Sequence, residues 1–302
     1  MKILGVETPK PNDDPGGAST RGISRLSIVH ECAMKWALRY QARLRPKAKP
    51  HDTDRIVGQL IHTMLAYSYA ERMEVPPAWL FDRPLDREIN RTAAGRPETI
   101  DIAQAAVDAY RRYFAGESDQ STAVEHEVAV PLSAIDPDAP EELRDEMVTG
   151  RFDRIYEANG RIIAEDHKTA ASRAQRLYPL DAHRYSVNRQ VLLYLYLLRA
   201  AFPDREIGGF VIRQIKQYPP FDFRRSAVTI DAQAYTALPA LVTTAIEREI
   251  ALSRALAARK PQRSGVMLEA CRAYNRQCDY YALCWAGDAA ERERIQREEY
   301  ER

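Results

Sequence analysis

Two aspartates lie thirteen positions apart in the stretch from Gly150 to Ala170, GRFDRIYEANGRIIAEDHKTA. The second begins an Asp-x-Lys, and because side chains on one face of a strand repeat every two residues, Asp166 and Lys168 share a face. Asp153 can join them across a hairpin if the two strands splay. Paired carboxylates suit Mg²⁺ or Mn²⁺, and a nearby ammonium can orient a water for hydrolysis of a phosphodiester. A cross-strand ion pair is the simpler interpretation of the same pattern.

Three more side chains of suitable chemistry lie at helical spacing. His62 follows Gly58 by four positions in GQLIHTML, and an imidazole beside two carboxylates would be a third metal ligand. Gln190 and Tyr194 are also four positions apart, in NRQVLLYLY, and therefore point the same way. Each is ordinary on its own, since a histidine on an amphipathic helix is usually a core residue.

The four cysteines are divided between the two ends of the chain. Cys32 lies near the start, and Cys271, Cys278 and Cys284 lie near the end. In a reducing cytosol disulfides are rare, so such a set indicates zinc or a 4Fe-4S cluster. The two late gaps of six and five residues differ from paired C-x2-C zinc ligands, which favours the cluster. Four unrelated buried thiols are the alternative.

The bulk composition excludes few functions. A chain of 302 residues that is 45% hydrophobic can bury a sizeable core, and a net charge of +1 gives no argument about a polyanionic partner. The longest apolar run, VLLYLYLL, is far shorter than the roughly 20 residues of a membrane span. The first 20 residues lack the features of a secretory signal, so we expect a disordered tail at 1–20, a cytoplasmic location and no membrane partner.

The pattern of apolar residues predicts helices that precede and surround a small sheet. Helical periodicity covers 24–44, 53–73, 98–116, 186–202 and about 231–260. Alternation predicts strands at 122–132, 148–156, 161–169, 206–216 and 221–230, with a hairpin at Asn159-Gly160. Glu125 and Glu127 lie in the first of these strands, and either could add an acid to the site, because alternation does not choose between them. The economical prediction is one α/β domain.

The motifs in their order resemble a known family. They are S-x-L-S before Cys32, G-x-x-x-H at His62, G-x-x-D at Asp153, D-x-K-T from Asp166 to Thr169, Q-x-x-x-Y at Gln190 and a terminal cysteine triplet. This series is similar to the RecB-like branch of the PD-(D/E)xK nucleases, and within it to the iron-sulfur exonucleases of the CRISPR-associated and AddB type. The resemblance extends from Ser24 to Cys284. One departure is the six-residue gap after Cys271, where the family pattern has C-x2-C, so Cys271 is the least secure ligand.

The resemblance implies a restriction-endonuclease-like αβββαβ core in a single nuclease domain over 21–302. His62, Asp153, Asp166 and the main-chain carbonyl of His167 would bind Mg²⁺ or Mn²⁺, and Lys168 would orient the attacking water. Gln190 and Tyr194 would support the site or contact the DNA backbone. A 4Fe-4S cluster, with zinc as the alternative, would join Cys32 to Cys271, Cys278 and Cys284 in a subregion formed by about 24–45 and 264–290.

The implied function is a metal-dependent DNA exonuclease acting on single-stranded DNA or duplex ends, in recombination, repair, or phage or CRISPR DNA processing. The sequence has no Walker-type G-x-x-x-x-G-K-[ST], so a helicase or recombination partner would be a separate protein. The alternatives are an endonuclease of the same fold and a non-catalytic DNA-binding protein stapled by zinc or a cluster. Aromatic side chains near the cysteines could stack on bases or pack in the core: Trp36, Tyr40, Tyr280, Tyr281 and Trp285.

Overall fold

The computed structural model describes residues 2–3, 6–7, 21–47, 53–93, 95–117, 120–172, 174, 176–257, 271 and 277–301. The predicted tail at 1–20 lies almost wholly outside them. The helices are α1 Ile23–Glu31, α2 Ala33–Trp36, α3 Thr53–Ala70, α4 Trp79–Asp82, α5 Leu85–Ala93, α6 Glu98–Tyr113, α7 Ala182–Ser186, α8 Arg189–Ala201, α9 Ala232–Ala257, α10 Tyr281–Cys284 and α11 Ala289–Glu299. The strands are β1 Lys2–Ile3, β2 Val6–Glu7, β3 Arg45–Pro46, β4 Ser121–Pro131, β5 Met147–Ala158, β6 Arg161–Ala170, β7 Ile207–Lys216, β8 Phe223–Ala227 and β9 Tyr300–Glu301. Over the described ranges no helix combines the length and the hydropathy that crossing a membrane requires.

A five-stranded mixed sheet has the order β4-β5-β6-β7-β8. The first three strands are antiparallel neighbours, β7 runs parallel to β6, and β8 returns antiparallel to β7. The parallel step needs a crossover, which α8 supplies between β6 and β7. The sequence of α3, three antiparallel strands, α8 and β7 is consistent with a restriction-endonuclease-like fold, with α6 added before the sheet.

The predicted hairpin between β5 and β6 is confirmed. Asn159 and Gly160 have φ values of 52° and 74°, as a type I′ turn requires at both central positions. The pairing then runs from Ala158 opposite Arg161 to Arg154 opposite Glu165. This register decides which residues meet at the far end of the hairpin.

Helices cover both faces of the sheet. Phe210 and Ile212 of β7 belong to an apolar cluster with α1, α8 and α9, whereas Ile215 belongs to a second cluster with α3 and α6. Because residues alternate between the faces of a strand, these two clusters lie on opposite sides of the sheet. The apolar run of α8 is buried here, with Leu193 and Leu197 fully inaccessible. Both faces are therefore dry, and polar side chains on them need partners.

The predicted helix over 24–44 is wrong as a single element. Cys32 is extended, with φ −161°, and separates α1 from α2, because its sulfur accepts the main-chain N–H of Lys35 at 3.4 Å and begins a new helix. After α2 the chain widens into a π-helical turn, Ala37–Gln41. Helices α5 and α11 were not predicted. In α5, Leu85, Ile89 and Ala93 do recur every four residues, but the helix directly follows Pro84 and is otherwise polar, whereas the charged stretch of α11 has little apolar periodicity.

The two ends of the described chain meet in a third small cluster. β3 pairs with β9 in an antiparallel arrangement, and Leu44 packs in an apolar group with Tyr280, Leu283 and Tyr300. The Tyr280 hydroxyl donates to the Leu44 carbonyl at 2.7 Å. The N-terminal helices are thus joined to the cysteine-rich end by packing and hydrogen bonds.

Candidate metal centre

Asp153 and Asp166 meet where the β5/β6 hairpin opens. The regular pairing stops at Arg154 and Glu165, so these aspartates are the next residues of the two strands. Instead of a ladder bond, the Asp153 Oδ2 accepts the main-chain N–H of His167 at 2.7 Å. The thirteen-residue interval therefore places both carboxylates at the splayed end of the hairpin.

His62 reaches this point from α3 because the helix approaches the sheet closely. At Gly58, one turn earlier, a Cβ atom would lie 2.7 Å from the Thr169 Oγ1 and 3.0 Å from the Gln217 Nε2. Only glycine fits such a contact. The approach leaves the His62 Nδ1 3.4 Å from the Asp153 Oδ2.

Glu125 completes a compact group of ligand atoms. Val124 and His126 of β4 pair with Arg154 and Phe152, so Glu125 is level with Asp153. Its φ is +46°, a left-handed conformation that is strained for a residue with a side chain. One ligand atom each of His62, Glu125 and Asp153 lie within 4.8 Å of one another.

The acid that the sequence left open is therefore Glu125. Glu127, two residues later, lies against Arg151 instead, with 3.5 Å between the Glu127 Oε2 and the Arg151 Nη2. Alternation could not choose between them because the left-handed residue interrupts the regular alternation of β4. A left-handed backbone conformation at a buried glutamate is the structural feature that indicates a functional site here.

Asp166 lies beside this group rather than within it. Its Oδ2 is 2.7 Å from the Lys168 Nζ, and its Oδ1 accepts the Gln190 Nε2 at 3.4 Å. Gln190 also accepts the Lys168 Nζ at 3.4 Å, so one amide holds both partners. Asp166, Lys168 and Gln190 thus form the polar set that the Asp-x-Lys and the Gln-x-x-x-Tyr patterns indicate.

Tyr194 supports this set from within the core. Its hydroxyl donates to the Arg151 carbonyl and accepts the Gln190 Nε2 at 3.2 Å. A Cβ at Gly150 would lie 2.4 Å from Leu197 and 2.9 Å from Tyr194, so glycine there lets α8 approach β5. Tyr194 is 7% exposed, which excludes direct contact with a macromolecular ligand in this conformation.

Burial and neighbouring charges shift the pKa values of Asp153 and Asp166 in opposite directions. Burial raises the pKa of the Asp166 carboxyl to about 6, against the Lys168 ammonium and with help from the Asp153 charge. Burial acts in the same direction on Asp153, but His62 and the hydrogen bonds from His167 outweigh it and lower the pKa of Asp153. Burial also lowers the pKa of His62, which leaves a neutral ring able to bind a metal.

Lys168 keeps its charge in this environment. Burial alone would lower the pKa of the Lys168 ammonium, but the Asp166 carboxylate more than offsets that and raises it. The side chain is still 38% exposed. A charged and partly solvent-accessible ammonium therefore lies beside the Asp166 carboxylate.

On the other face of β6 lies a buried ion network. Glu165, with 1% exposure, has its Oε2 2.6 Å from the Arg213 Nε and its Oε1 3.3 Å from the Arg154 Nη1. The His167 ring lies between the two acids, 3.5 Å from Glu165 and 3.4 Å from Asp153. His167 therefore connects the network to the metal centre through both its ring and its main chain.

The four cysteines converge on the region where the chain ends meet. The Cys278 N–H donates to the Cys271 carbonyl at 2.9 Å, and Cys278 and Cys284 pack against the third apolar cluster. Burial raises the pKa of the Cys284 thiol to about 12, with further contributions from the other three cysteines. Most of the segment between α9 and Cys278 lies outside the described residues.

Two of the aromatic side chains proposed for base stacking belong to the core. Trp36 is 1% exposed and donates its Nε1 to Glu249 at 3.2 Å, and Tyr280 is 2% exposed and stacked on Tyr300. Neither ring has a free face. Trp285, 54% exposed, remains available at the surface.

Comparisons with known proteins identify the family of the chain. The sequence profile of the PD-(D/E)XK nuclease superfamily matches residues 22–285. Among solved structures, a candidate exonuclease from Eubacterium rectale is similar at 13% identity and a TM-score of 0.49, over 77% of this chain and 80% of that one. The protein SSO0001 is similar at 14% identity and a TM-score of 0.29, over 66% of this chain and 85% of that one. None of the curated proteins matches the chain in sequence.

Proposed function

Because the chain belongs to the PD-(D/E)XK nuclease superfamily, we propose that it is a metal-dependent DNA exonuclease that hydrolyses phosphodiester bonds in single-stranded DNA or at duplex ends. The observation that carries the proposal is the group of ligand atoms from His62, Glu125 and Asp153 within 4.8 Å, with Lys168 and Asp166 beside it. Carboxylate oxygen donors are suited to Mg²⁺ or Mn²⁺, and the imidazole nitrogen favours the softer Mn²⁺ of the two.

The residues fit a divalent cation on electrostatic grounds. Glu125 is 8% exposed and the Asp153 side chain is 17% exposed, so two acids share a poorly hydrated space. The Asp153 charge also contributes to the raised pKa of Asp166. A cation relieves this repulsion, and the proposed ligands are His62, Glu125, Asp153, Asp166 and the main-chain carbonyl of His167.

The chain's own residues would divide the remaining work. A bound Mg²⁺ or Mn²⁺ supplies Lewis acidity toward the phosphoryl oxygen and lowers the pKa of water. Lys168 keeps its proton, so it orients the attacking water and stabilises developing negative charge rather than acting as a base. Gln190 fixes Lys168 and Asp166 relative to each other, and Tyr194 holds Gln190, which makes both of them positioning residues.

Cleavage of end-labelled DNA tests this function. We expect the protein to degrade linear single-stranded or duplex DNA with Mn²⁺ and to be inactive in EDTA. Covalently closed circular single strands separate the two modes of cleavage, because an exonuclease leaves them intact and an endonuclease of the same fold cuts them. Binding of DNA without cleavage of any substrate would favour the non-catalytic alternative.

A 4Fe-4S cluster at Cys32, Cys271, Cys278 and Cys284 is the second part of the proposal. The thiols fit such a group because burial, and after it the neighbouring cysteines, raise the pKa of Cys278 and Cys284, and binding to iron as thiolates would reverse this. The gaps of six and five residues between the three late cysteines differ from paired C-x2-C zinc ligands, which favours a cluster over zinc. Its role would be to clasp the N-terminal helices to the cysteine-rich end.

Anaerobic purification tests the cluster independently of activity. The protein should be brown, should bleach on reduction and should contain about four irons per chain. Cys32→Ser and Cys284→Ser should lose iron and lower the melting temperature equally, because either opens the clasp. A colourless zinc protein, or a Cys32→Ser variant with full iron content and stability, would contradict the long-range clasp.

The cellular setting stays a prediction. The family assignment supports DNA as the substrate. Cytoplasmic location, a separate helicase or recombination partner, a role in repair or phage or CRISPR DNA processing, and the domain bounds of 21–302 rest on the sequence interpretation alone.

A further inference from the structure

Tyr178 is the most exposed large apolar side chain in the described part of the chain. It is 77% accessible, although the segment that carries it is firmly held. The preceding Leu177 is 4% exposed, and its N–H donates to the Asp222 Oδ2 at 2.6 Å. The Tyr178 carbonyl accepts the Gln214 Nε2 at 3.4 Å. An aromatic ring is thus presented to solvent from an anchored main chain.

The main chain of Tyr178 lies near the candidate metal centre. Gln214 of β7 is the register partner of Lys168 in β6, so Tyr178 is bonded to the residue directly beside the proposed catalytic ammonium. Tyr185, in the same stretch of the chain, also lies near Lys168, because its phenol contributes to the raised pKa of the ammonium. Residues 176–189 therefore pass beside Lys168.

Residues 176–189, which we name the site-flanking segment, carry mainly positive charge at the surface. Its exposed cationic side chains are Arg176, Arg184 and Arg189, and its one acid, Asp181, is engaged in capping α7 through the Arg184 N–H. A lone exposed ring among arginines differs from the contiguous apolar patches that bind proteins.

We infer that the site-flanking segment guides a single strand of DNA into the metal centre, with Tyr178 stacking on a base and the arginines contacting phosphates. The inference rests on the proposed nuclease function and names its substrate path. A ring that is open on the surface can stack only on a base with an uncovered face, which single strands and frayed ends provide and an intact duplex does not.

Binding of fluorescein-labelled oligodeoxythymidylate in Ca²⁺, without turnover, tests the ring. Tyr178→Ala should raise the Kd about 5- to 100-fold, the range that loss of one base–aromatic stack gives. Tyr178→Phe keeps the ring and should stay near wild type. Phe81→Ala removes an equally exposed ring, 72% accessible, on α4 and serves as the matched control.

An oligonucleotide with abasic positions separates stacking from other contacts. Wild type should bind the abasic strand as weakly as Tyr178→Ala binds the intact strand, and Tyr178→Ala should not discriminate between the two. Arg184→Ala should reduce the slope of log K against log salt by about 0.7, as expected for one phosphate contact on a single strand.

The outcomes distinguish this inference from the function beneath it. If wild type cleaves DNA but Tyr178→Ala binds single strands normally, the substrate path is wrong and the nuclease function stands. If Tyr178→Ala weakens the binding of single strands and of intact duplex DNA by the same factor, stacking on a base is also refuted. A wild-type protein that neither binds nor cleaves DNA overturns both.

Discussion

Glu165 and Asp166 are neighbours in β6, yet the two faces of the strand treat their carboxylates in opposite ways. Glu165 points toward α3 and α6, where His167, Arg213 and Arg154 outweigh its burial and lower its pKa. Asp166 points toward α8, where one lysine does not compensate for burial and its pKa rises to about 6. The neighbouring cations therefore compensate the negative charge of Glu165, whereas the single lysine does not fully compensate that of Asp166.

This difference indicates that Glu165 contributes to stability and that Asp166 belongs to a ligand-binding site. A buried carboxylate with several cations contributes to structure, and removing it leaves those cations uncompensated. A buried carboxylate with a raised pKa is typical of functional sites, where stability is given up for binding. Substitution of Asp166 and its partners should therefore affect cleavage, and substitutions in the ion network should affect stability.

The largest difference in activity between two acids of one strand should be that between Glu125→Gln and Glu127→Gln. Loss of a metal ligand should weaken Mn²⁺ binding and reduce cleavage at least about a hundredfold, whereas Glu127 faces Arg151 and its variant should keep its Mn²⁺ affinity. Calorimetric Mn²⁺ titration and end-labelled DNA cleavage measure both. Equal loss in the two variants would show that Glu125 has no special role.

Lys168→Ala should lower kcat by about 10²–10³-fold, since its charge acts mainly on the transition state. KM and Mn²⁺ affinity should change much less. Steady-state kinetics on single-stranded DNA check this split. A loss confined to KM would make Lys168 a phosphate anchor instead.

Glu165→Gln should lower the free energy of unfolding by about 3–5 kcal/mol, because two buried guanidiniums lose their shared counter-charge. Asp166→Asn is the matched control one residue later and should not lower it. Urea denaturation in EDTA measures both without metal. Stable Glu165→Gln alongside unstable Asp166→Asn would invert the comparison.

A smaller effect should appear in the pH dependence of Asp166→Asn stability. The pKa of Asp166 is about 6 in the folded state, above its ordinary value of 3.8, so ionisation above pH 6 opposes folding by up to about 3 kcal/mol. Wild type recovers this free energy as the pH falls from about 6 toward the ordinary value of 3.8. The stability advantage of Asp166→Asn should therefore shrink over that window in EDTA, and a constant difference would contradict the assignment.

Local signals in the sequence were sufficient for the hairpin and the carboxylate pair. The Asn159-Gly160 turn fixes the register, and the register carries Asp153 and Asp166 to the same end. The sequence showed Gly58 and Gly150 as motif positions, but only the structure shows why glycine is present there. Gly58 lies against Thr169, and Gly150 lies against α8.

Other features depend on contacts between distant parts of the chain. Glu165 and Arg213 are joined only because the crossover through α8 makes β6 and β7 neighbours. Glu125 is brought into the site by a left-handed φ, which no pattern of residue types reveals. The break at Cys32 arises from a sulfur that caps α2, where periodicity alone predicted a continuous helix.

The most direct test of the metal centre is cleavage and binding by Asp166→Ala in one preparation. The substitution removes the carboxylate that faces Lys168 and leaves the arginines proposed to contact phosphates in place. We predict that Mn²⁺-dependent cleavage of end-labelled DNA is abolished while affinity for DNA in Ca²⁺ stays near wild type. Undiminished cleavage by Asp166→Ala would contradict the account.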